Sequence, residues 1–214
     1  RQTFDAVQDF GARAVAEAAR AQGAALTHVS AIGADPQSGA AYARSKARGE
    51  KAVLDTVKDA VIVRPSIVFG PEDGFFNRFA AMARFSPVLP LIGGGETRFQ
   101  PAYVADVAEA IARSVDGKVA GGRIYELGGP EVRTFRELMQ EMLAVIDRER
   151  MLVPVPWWLA RLQGRVLGLL PNPLLTVDQV EMLRTDNVVS AEARKDGRTF
   201  DGLEITPHTM EAIL

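Results

Sequence analysis

Residues 25–65 read A-L-T-H-V-S-A-I-G-A-D-P-Q-S-G-A-A-Y-A-R-S-K-A-R-G-E-K-A-V-L-D-T-V-K-D-A-V-I-V-R-P, and the order of their patterns decides the fold. Ala25 to Ser30 is a short apolar run suited to a buried parallel strand. Gly33 to Gly39, with Asp35, Pro36 and Ser38, supplies turn formers. A helix follows and continues to about Val57. Ala60 to Val63 makes a second strand, closed by Arg64-Pro65 because proline cannot donate to a central ladder. Upstream, residues 1–20 have helical spacing with Phe4, Val7, Phe10, Ala14, Val15 and Ala18 on one side, and Gly23 ends that helix. Helix, strand, helix, strand in this rhythm predicts an α/β fold built on a parallel, doubly wound sheet.

The rest of the chain extends the pattern. R-I-Y-E-L-G-G, residues 123–129, reads as a strand ending in a turn, and Phe135 to Ile146 has helical spacing. Gly93-Gly94-Gly95 precedes Glu96 and a strand rather than a helix N-terminus, so it reads as a turn and not as a phosphate loop. P-W-W-L-A-R-L-Q-G-R-V-L-G-L-L-P, residues 156–171, starts with a proline suited to the first helical position. Its tryptophans and leucines, with Arg161 and Arg165 one turn apart, support two readings. One is a lid helix packed on a substrate lobe; the other is an amphipathic helix lying on a membrane surface or a partner subunit.

Composition excludes several function classes. Twenty-seven acidic residues against twenty-five Lys plus Arg give a net charge of -2 in 214 residues, with no basic tail to bind nucleic acid. Without cysteine there are no disulfides, thiolate metal sites or cysteine nucleophiles, and with only His28 and His208 no metal site is expected. No stretch reaches the roughly 20 apolar residues of a membrane span, and no signal peptide is visible. The expectation is a soluble cytoplasmic protein, alternatively one peripheral at the inner face of the membrane.

The chemistry centres on Tyr42 and Lys46, one helical turn apart on one face. An ammonium beside a phenol favours the phenolate, which predicts a Tyr42 pKa lowered toward the range of proton transfer. Alone, such a pair is a common surface feature. Ser30, at the end of the preceding strand, would meet both at the carboxyl edge of the sheet, where open α/β folds bind ligands. Ser30 is also suited to capping its loop. His28, inside an apolar strand, reads as a satisfied core residue. Asp106 and Glu109 read as structural carboxylates at the start of a helix.

Four pieces in order, Ser30, Y-A-R-S-K (42–46), R-P-S-I-V-F-G-P (64–71) and Y-V-A-D-V-A (103–108), resemble the extended and atypical short-chain dehydrogenase/reductase superfamily, NAD-dependent epimerase/dehydratase-like in type. H-V-S-A-I-G-A-D and V-R-P-S-I-V-F-G-P-E-D-G-F-F-N-R-F are most similar in wording to bacterial relatives of the NAD(P)-binding accessory subunit of respiratory complex I. The resemblance implies Tyr42 as general acid or base. It implies Lys46 as the group that lowers the Tyr42 pKa and binds the nicotinamide ribose, and Ser30 as the hydroxyl that steadies a substrate carbonyl, with Ser38 as the spare. Pro65, Ser66 and Ile67 would lie near the nicotinamide. Asn77 and Arg98 are the candidates on the substrate side. Arg98 stands one place before the position where sugar-nucleotide members carry arginine, which Phe99 holds here, and this weakens a sugar-nucleotide reading.

The implied cofactor is NADP or NAD, with NADP slightly favoured. The implied partners are that cofactor and a small-molecule substrate, with membrane-surface or subunit docking through 156–171 and an oligomer as further options. The implied domains are residues 1–70 plus about 97–128 as a Rossmann portion, and 71–96 plus 129–214 as a smaller substrate lobe. Two functions follow: an oxidoreductase or epimerase passing a hydride at a hydroxyl or carbonyl carbon, or a catalytically silent NADPH-holding subunit docked on a membrane complex. The sequence contains no G-x-G-x-x-G turn. The expectation is therefore the C-terminal part of a Rossmann-like fold, with about 100 residues of glycine-rich βα units preceding it and weak cofactor binding by these residues alone.

Overall fold

The computed structural model describes residues 3–171, 173 and 175–213. A π-helical segment, Asp5–Phe10, runs into α1 (Gly11–Gln22), which Gly23 ends in the left-handed conformation at φ 63°. β1 (Thr27–Val29), α2 (Ala41–Thr56) and β2 (Val61–Pro65) follow. β3 (Val68–Phe69), α3 (Phe76–Phe85), β4 (Val88–Ile92), β5 (Arg98–Phe99) and β6 (Ala102–Tyr103) lead to α4 (Val104–Val115) and β7 (Arg123–Leu127). β8 (Arg133–Thr134), α5 (Phe135–Val145), β9 (Met151–Val155), α6 (Trp157–Leu167), α7 (Val177–Met182) and α8 (Ala191–Lys195) complete the chain.

The main sheet has the order β1-β2-β7, parallel throughout, and β2 is central and buried. Successive side chains of a strand point to opposite faces. Ile62 accordingly packs with Ala16, Val53 and Val57 on the α1/α2 side, while Val61 and Val63 pack with Val107 and Ala110 of α4 on the other. Helices on both faces make the sheet doubly wound, as the patterning predicts. β2 runs further than its apolar run suggests. Pro65 still pairs with Leu127, in the strand's last position, and its carbonyl accepts from the Ile32 N–H at 3.0 Å.

The first helix buries its small residues rather than its large ones. Val7, Phe10, Ala14, Val15 and Ala18 of the spaced side face outward, Phe4 is partly exposed, and Ala12 and Ala16 are the buried residues. The reason is backbone proximity to α2. A Cβ at Gly49 would stand 2.1 Å from the Gln8 carbonyl oxygen and 3.3 Å from the Ala12 Cβ, so only small residues fit the crossing. The Ser45 hydroxyl donates to Gln8 Oε1 at 2.7 Å, and Arg48 pairs with Asp5 and Asp9.

A second core gathers Phe69, Leu89, Leu91, Phe99, Phe135 and Leu138 between α3, α5 and small two-stranded ladders, of which β3-β6 and β4-β9 are parallel and β5-β8 antiparallel. The Gly93–Gly95 segment is a tight turn leading to β5, in agreement with its sequence context. Helix α6 packs on α7 through Ala160 and Gly164, while Trp158 and Val166 stay 69% and 61% exposed. No helix among the described residues is long and apolar enough to cross a membrane.

Candidate active site

The N-cap position of helix α2 is Ala40, a residue with no side chain able to cap it. The cap comes from far along the chain. Asp178 of α7 accepts from the Ala41 N–H at 2.5 Å through Oδ1 and from the Tyr42 N–H at 3.2 Å through Oδ2. A carboxylate there satisfies two of the free amides at the positive end of the helix. The other anchor of α2 is an ion pair across its buried face. Arg64 of β2 donates to both oxygens of Glu50, at 2.8 and 2.6 Å, and its third nitrogen lies 3.5 Å from Glu126 of β7. Glu126 in turn accepts from the Ser190 N–H at 2.8 Å. Asp178 and Arg64 fix the placement of Tyr42 and Lys46 against the sheet.

Lys46 spans the space between Tyr42 and the end of β1. Its Nζ donates to the Val29 carbonyl at 3.1 Å and stands 5.9 Å from the centroid of the Tyr42 ring. Ser30, the next residue after Val29, is buried, its N–H donates to the Val63 carbonyl at 2.7 Å, and its hydroxyl has no hydrogen-bond partner. Such an orphaned buried hydroxyl is uncommon in a folded chain. The three residues expected to share one site therefore lie at one edge. Ser38 does not join them: its hydroxyl accepts from the Ala40 N–H at 3.2 Å and shapes the loop before α2.

The electrostatics differ from expectation. Burial pushes the Tyr42 phenol above its ordinary value, where the sequence pattern predicts a lowered one. Phe4 packs edge-on against the ring at 5.7 Å, and the ammonium of Lys46 is turned to the Val29 carbonyl. Desolvation of the phenolate thus outweighs the neighbouring cation. Burial also lowers the Lys46 pKa, with Glu50 pulling the other way. His28 is lowered by burial and then by Lys46, with Glu50 opposing. Its Nε2 is buried without a partner, so His28 is a neutral residue that the core leaves unsatisfied rather than the satisfied one expected.

At the end of β2, the Ser66 N–H donates to the Leu127 carbonyl at 2.9 Å and the Ile67 N–H to Asn187 Oδ1 at 3.0 Å. Asn187 also accepts from the Ser66 hydroxyl at 2.7 Å and donates through Nδ2 to the Ile32 carbonyl at 3.1 Å. One side chain, not singled out by the sequence, thus ties the loop after β1 to the turn after β2. The two substrate-side candidates lie elsewhere. Asn77 donates to the carbonyls of Pro71 and Asp73, both at 3.1 Å, fastening the turn that starts α3. Arg98 grips Asp186 through its backbone N–H at 2.8 Å and through Nε and Nη2 at 2.8 and 2.6 Å. Burial would raise the Asp186 pKa, but the bonds and charge from Arg98 hold it below the ordinary carboxylate range.

Asp106 accepts from the backbone N–H and ring Nδ1 of His208 at 2.8 and 2.7 Å, which pins the C-terminal segment to α4, and Glu109 pairs with Arg113 at 2.5 Å. Both carboxylates are structural, as expected. Among the described residues no cluster of His, Asp and Glu is arranged to hold a metal ion.

Comparison with known proteins places this geometry. Residues 33–157, more than half of the chain, match the family described as RmlD substrate binding domain. The chain is similar to the mitochondrial NADH dehydrogenase (ubiquinone) 1 alpha subcomplex subunit 9 of Arabidopsis thaliana, 37% identical over 193 residues, covering 86% of this chain and 47% of that protein. It is similar also to the ceramide reductase of Caulobacter vibrioides, 36% identical over 157 residues, covering 72% of this chain and 48% of that protein. The chain thus spans about half the length of the curated relatives it matches. In fold it resembles MoeE5, solved in complex with UDP-glucuronic acid and NAD, with a TM-score of 0.69 at 14% identity over 96% of this chain and 67% of that one. Matching that family model over more than half of its length, with a doubly wound parallel sheet, the chain belongs to the RmlD substrate binding domain family, an extended NAD(P)-binding Rossmann-fold group.

Proposed function

We propose that this chain supplies the nicotinamide end of an NAD(P)H site in a cofactor-holding protein of the complex I accessory-subunit kind, one that retains its cofactor without turning it over. The observation that carries this reading is the state of the Tyr42–Lys46 pair. Tyr42 has its pKa raised by burial, and the Lys46 ammonium is bonded to the Val29 carbonyl. A protonated phenol can donate a hydrogen bond, and burial disfavours the phenolate that a proton transfer from it would leave behind. The similarity to the Arabidopsis subunit over 86% of this chain supports the same reading, and the MoeE5 complex with NAD supports a nicotinamide dinucleotide as the ligand. The outward apolar side chains of α6 suit docking on a membrane surface or partner subunit.

The residues present fit the nicotinamide portion of such a ligand. Lys46 would hold the ribose, Tyr42 and Ser30 would face the reacting carbon, and the turn from Pro65 to Ile67 would lie against the ring. The Rossmann portion would be residues 1–70 with about 97–128, and the remainder the smaller lobe. When bound, the cofactor supplies hydride chemistry.

A second reading, a reductase, is favoured by one specific observation: the Ser30 hydroxyl is buried and free of protein partners, as a group awaiting a substrate carbonyl would be. In that case Ser30 donates to the carbonyl oxygen and Tyr42 gives it a proton. The similarity to the Caulobacter ceramide reductase supports this alternative.

Incubation of the intact protein with NADPH and a panel of ketones separates the two. The holding reading expects saturable NADPH binding, no consumption, and a roughly 10- to 100-fold loss of affinity in Lys46→Met, the worth of a charge-assisted hydrogen bond. Consumption of NADPH that Tyr42→Phe slows by ~10²-fold or more, with cofactor affinity unchanged, would install the reductase instead. Undiminished binding in Lys46→Met would remove both.

A further inference from the structure

Between α3, α5, α6 and α7 lies a cavity of about 770 Å3, within the size range of small-molecule sites. Its wall is almost wholly apolar. Phe75, Phe79, Phe99 and Phe135 form one side, and Leu162 and Val166 of α6 line the rim, half or more exposed to solvent. The aromatic side is a mutually braced cluster. Phe75 and Phe79 stand 5.4 Å apart, Phe79 and Phe135 5.4 Å, and Phe75 and Phe99 5.7 Å, so the space is preformed rather than a packing slack. It far exceeds the roughly 30 Å3 share of one water molecule, and an apolar space of this kind favours apolar ligands over water.

Most of the polar groups around it are already engaged, Gln163 on the exposed side of α6 being, among the described residues, the one with no bond in the structure, and Gln179 Oε1 accepts from the Thr176 N–H at 3.0 Å. Asn187 enters the wall with both ends of its amide bonded, to Ser66 and Ile67 on one side and to Ile32 on the other. Arg78 donates to the Pro173 carbonyl at 2.6 Å. Asn77 and Arg98, the residues read from sequence as substrate-side, are taken up by Pro71, Asp73 and Asp186. A sugar nucleotide brings hydroxyls and a pyrophosphate, and each would be desolvated here without a partner. An unbranched hydrocarbon makes no such demand. Ile67 places one end of the cavity beside the turn after β2, and the rim at α6 continues into the exposed apolar surface of Trp158 and Leu169.

We infer that this cavity is a binding site for the single long alkyl chain of a lipid, entered past Leu162 and Val166 and running toward Ile67. The site goes beyond the nicotinamide reading and does not depend on it: the chain is held whether or not a hydride is transferred.

Calorimetric titration of the purified protein with palmitate, hexanoate and UDP-glucose tests the site. Palmitate is expected to bind saturably and at least roughly a hundredfold more tightly than hexanoate, since each buried methylene adds to affinity. UDP-glucose is expected not to displace it. Val166→Trp, a filling substitution at an exposed rim position, is expected to weaken palmitate by roughly tenfold with an unchanged melting temperature. Val166→Ile serves as the conservative control. A lysophosphatidylcholine carrying the same chain distinguishes a membrane lipid from a free acid as the source: binding of either that Val166→Trp weakens supports the site. Equal affinity for palmitate and hexanoate, displacement by UDP-glucose, or indifference to Val166→Trp would overturn it. NADPH affinity, measured alongside, is expected to be the same in Val166→Trp and the parent. The nicotinamide reading is then judged separately, by Lys46→Met.

Discussion

The carboxyl edge of the main sheet and the phenylalanine-lined cavity are opposite kinds of candidate site in one small chain. At the edge, Ser30 Oγ and His28 Nε2 are buried with no partner, and Tyr42 and Lys46 both have their charged forms disfavoured by burial. In the cavity wall, Asn187 is bonded at both ends of its amide, and most of what faces inward is hydrocarbon; Asn77 and Arg98 lie outside that wall, bonded to Pro71, Asp73 and Asp186. An unpaired polar group is costly to keep in a fold, so it marks where something outside the chain completes the bonding. A satisfied one marks scaffolding. Residue type alone, by which Ser30, Asn77 and Arg98 look equally eligible, does not make that distinction.

The contrast can be broken most severely at the ion pair under the edge. Arg64→Met should cost about 3–5 kcal/mol in urea unfolding, because it leaves Glu50 buried and uncompensated. A loss below about 1 kcal/mol would mean that α2 is held in place by other contacts. Asn187→Ala comes next, at about 2–3 kcal/mol, since Ser66, Ile67 and Ile32 all lose a partner. Arg98→Ala, by comparison, removes a mostly exposed pair worth about 1 kcal/mol or less. Equal costs for the two would erase the difference between clamp and surface pair.

The third test uses pH. His28 has a folded pKa below the ordinary 6.5. The unfolded chain therefore binds a proton that the folded one refuses, and the contribution of neutral His28 is complete above pH 6.5 and lost as pH falls below it. The slope in that window is bounded by about 1.4 kcal/mol per pH unit for a single group, and His28→Val should flatten it. A slope that survives His28→Val would assign it to other groups. The smallest effect sharpens the comparison from the other side. Ser30→Ala should leave stability unchanged or raise it by up to ~1 kcal/mol, since the lost hydroxyl had no protein bond, while NADPH-dependent ketone reduction, if present, should fall. Marked destabilisation would show that Ser30 is structural after all.

Much of the fold was legible because it is local. The apolar runs at 25–30 and 60–63, the turn formers at 33–39 and Gly23 act within a few residues and become strands, a loop and a helix end as their patterns predict, although β1 is half-buried with Val29 exposed rather than the buried strand expected. The helical spacing of residues 4–18 does not say which side of the first helix is buried, because that choice is made by a distant glycine: Gly49 admits the close approach of Gln8 and Ala12. The site was half legible. Ser30, Tyr42 and Lys46 could be collected because strand ends and helix starts share one sheet edge. The fixing partners could not, since Asp178 reaches the Tyr42 amide from 136 residues away and Asn187 reaches Ile67 from 120. T-V-D-Q at 176–179 does carry a capping-box signature, which predicts the start of α7 but not the distant helix its aspartate serves. The Tyr42 pKa direction was missed because burial is a property of the packed chain, not of a four-residue spacing.

Helix α7 is only six residues long, yet neighbouring positions on it belong to both surfaces. Asp178 holds the first amides of the helix that bears Tyr42, while Gln179 and Met182 stand in the wall of the cavity. The two sites therefore share a rigid link about one turn of helix in size. If a lipid chain fills the cavity as proposed, a shift of that turn would reach the backbone of the tyrosine through a single carboxylate.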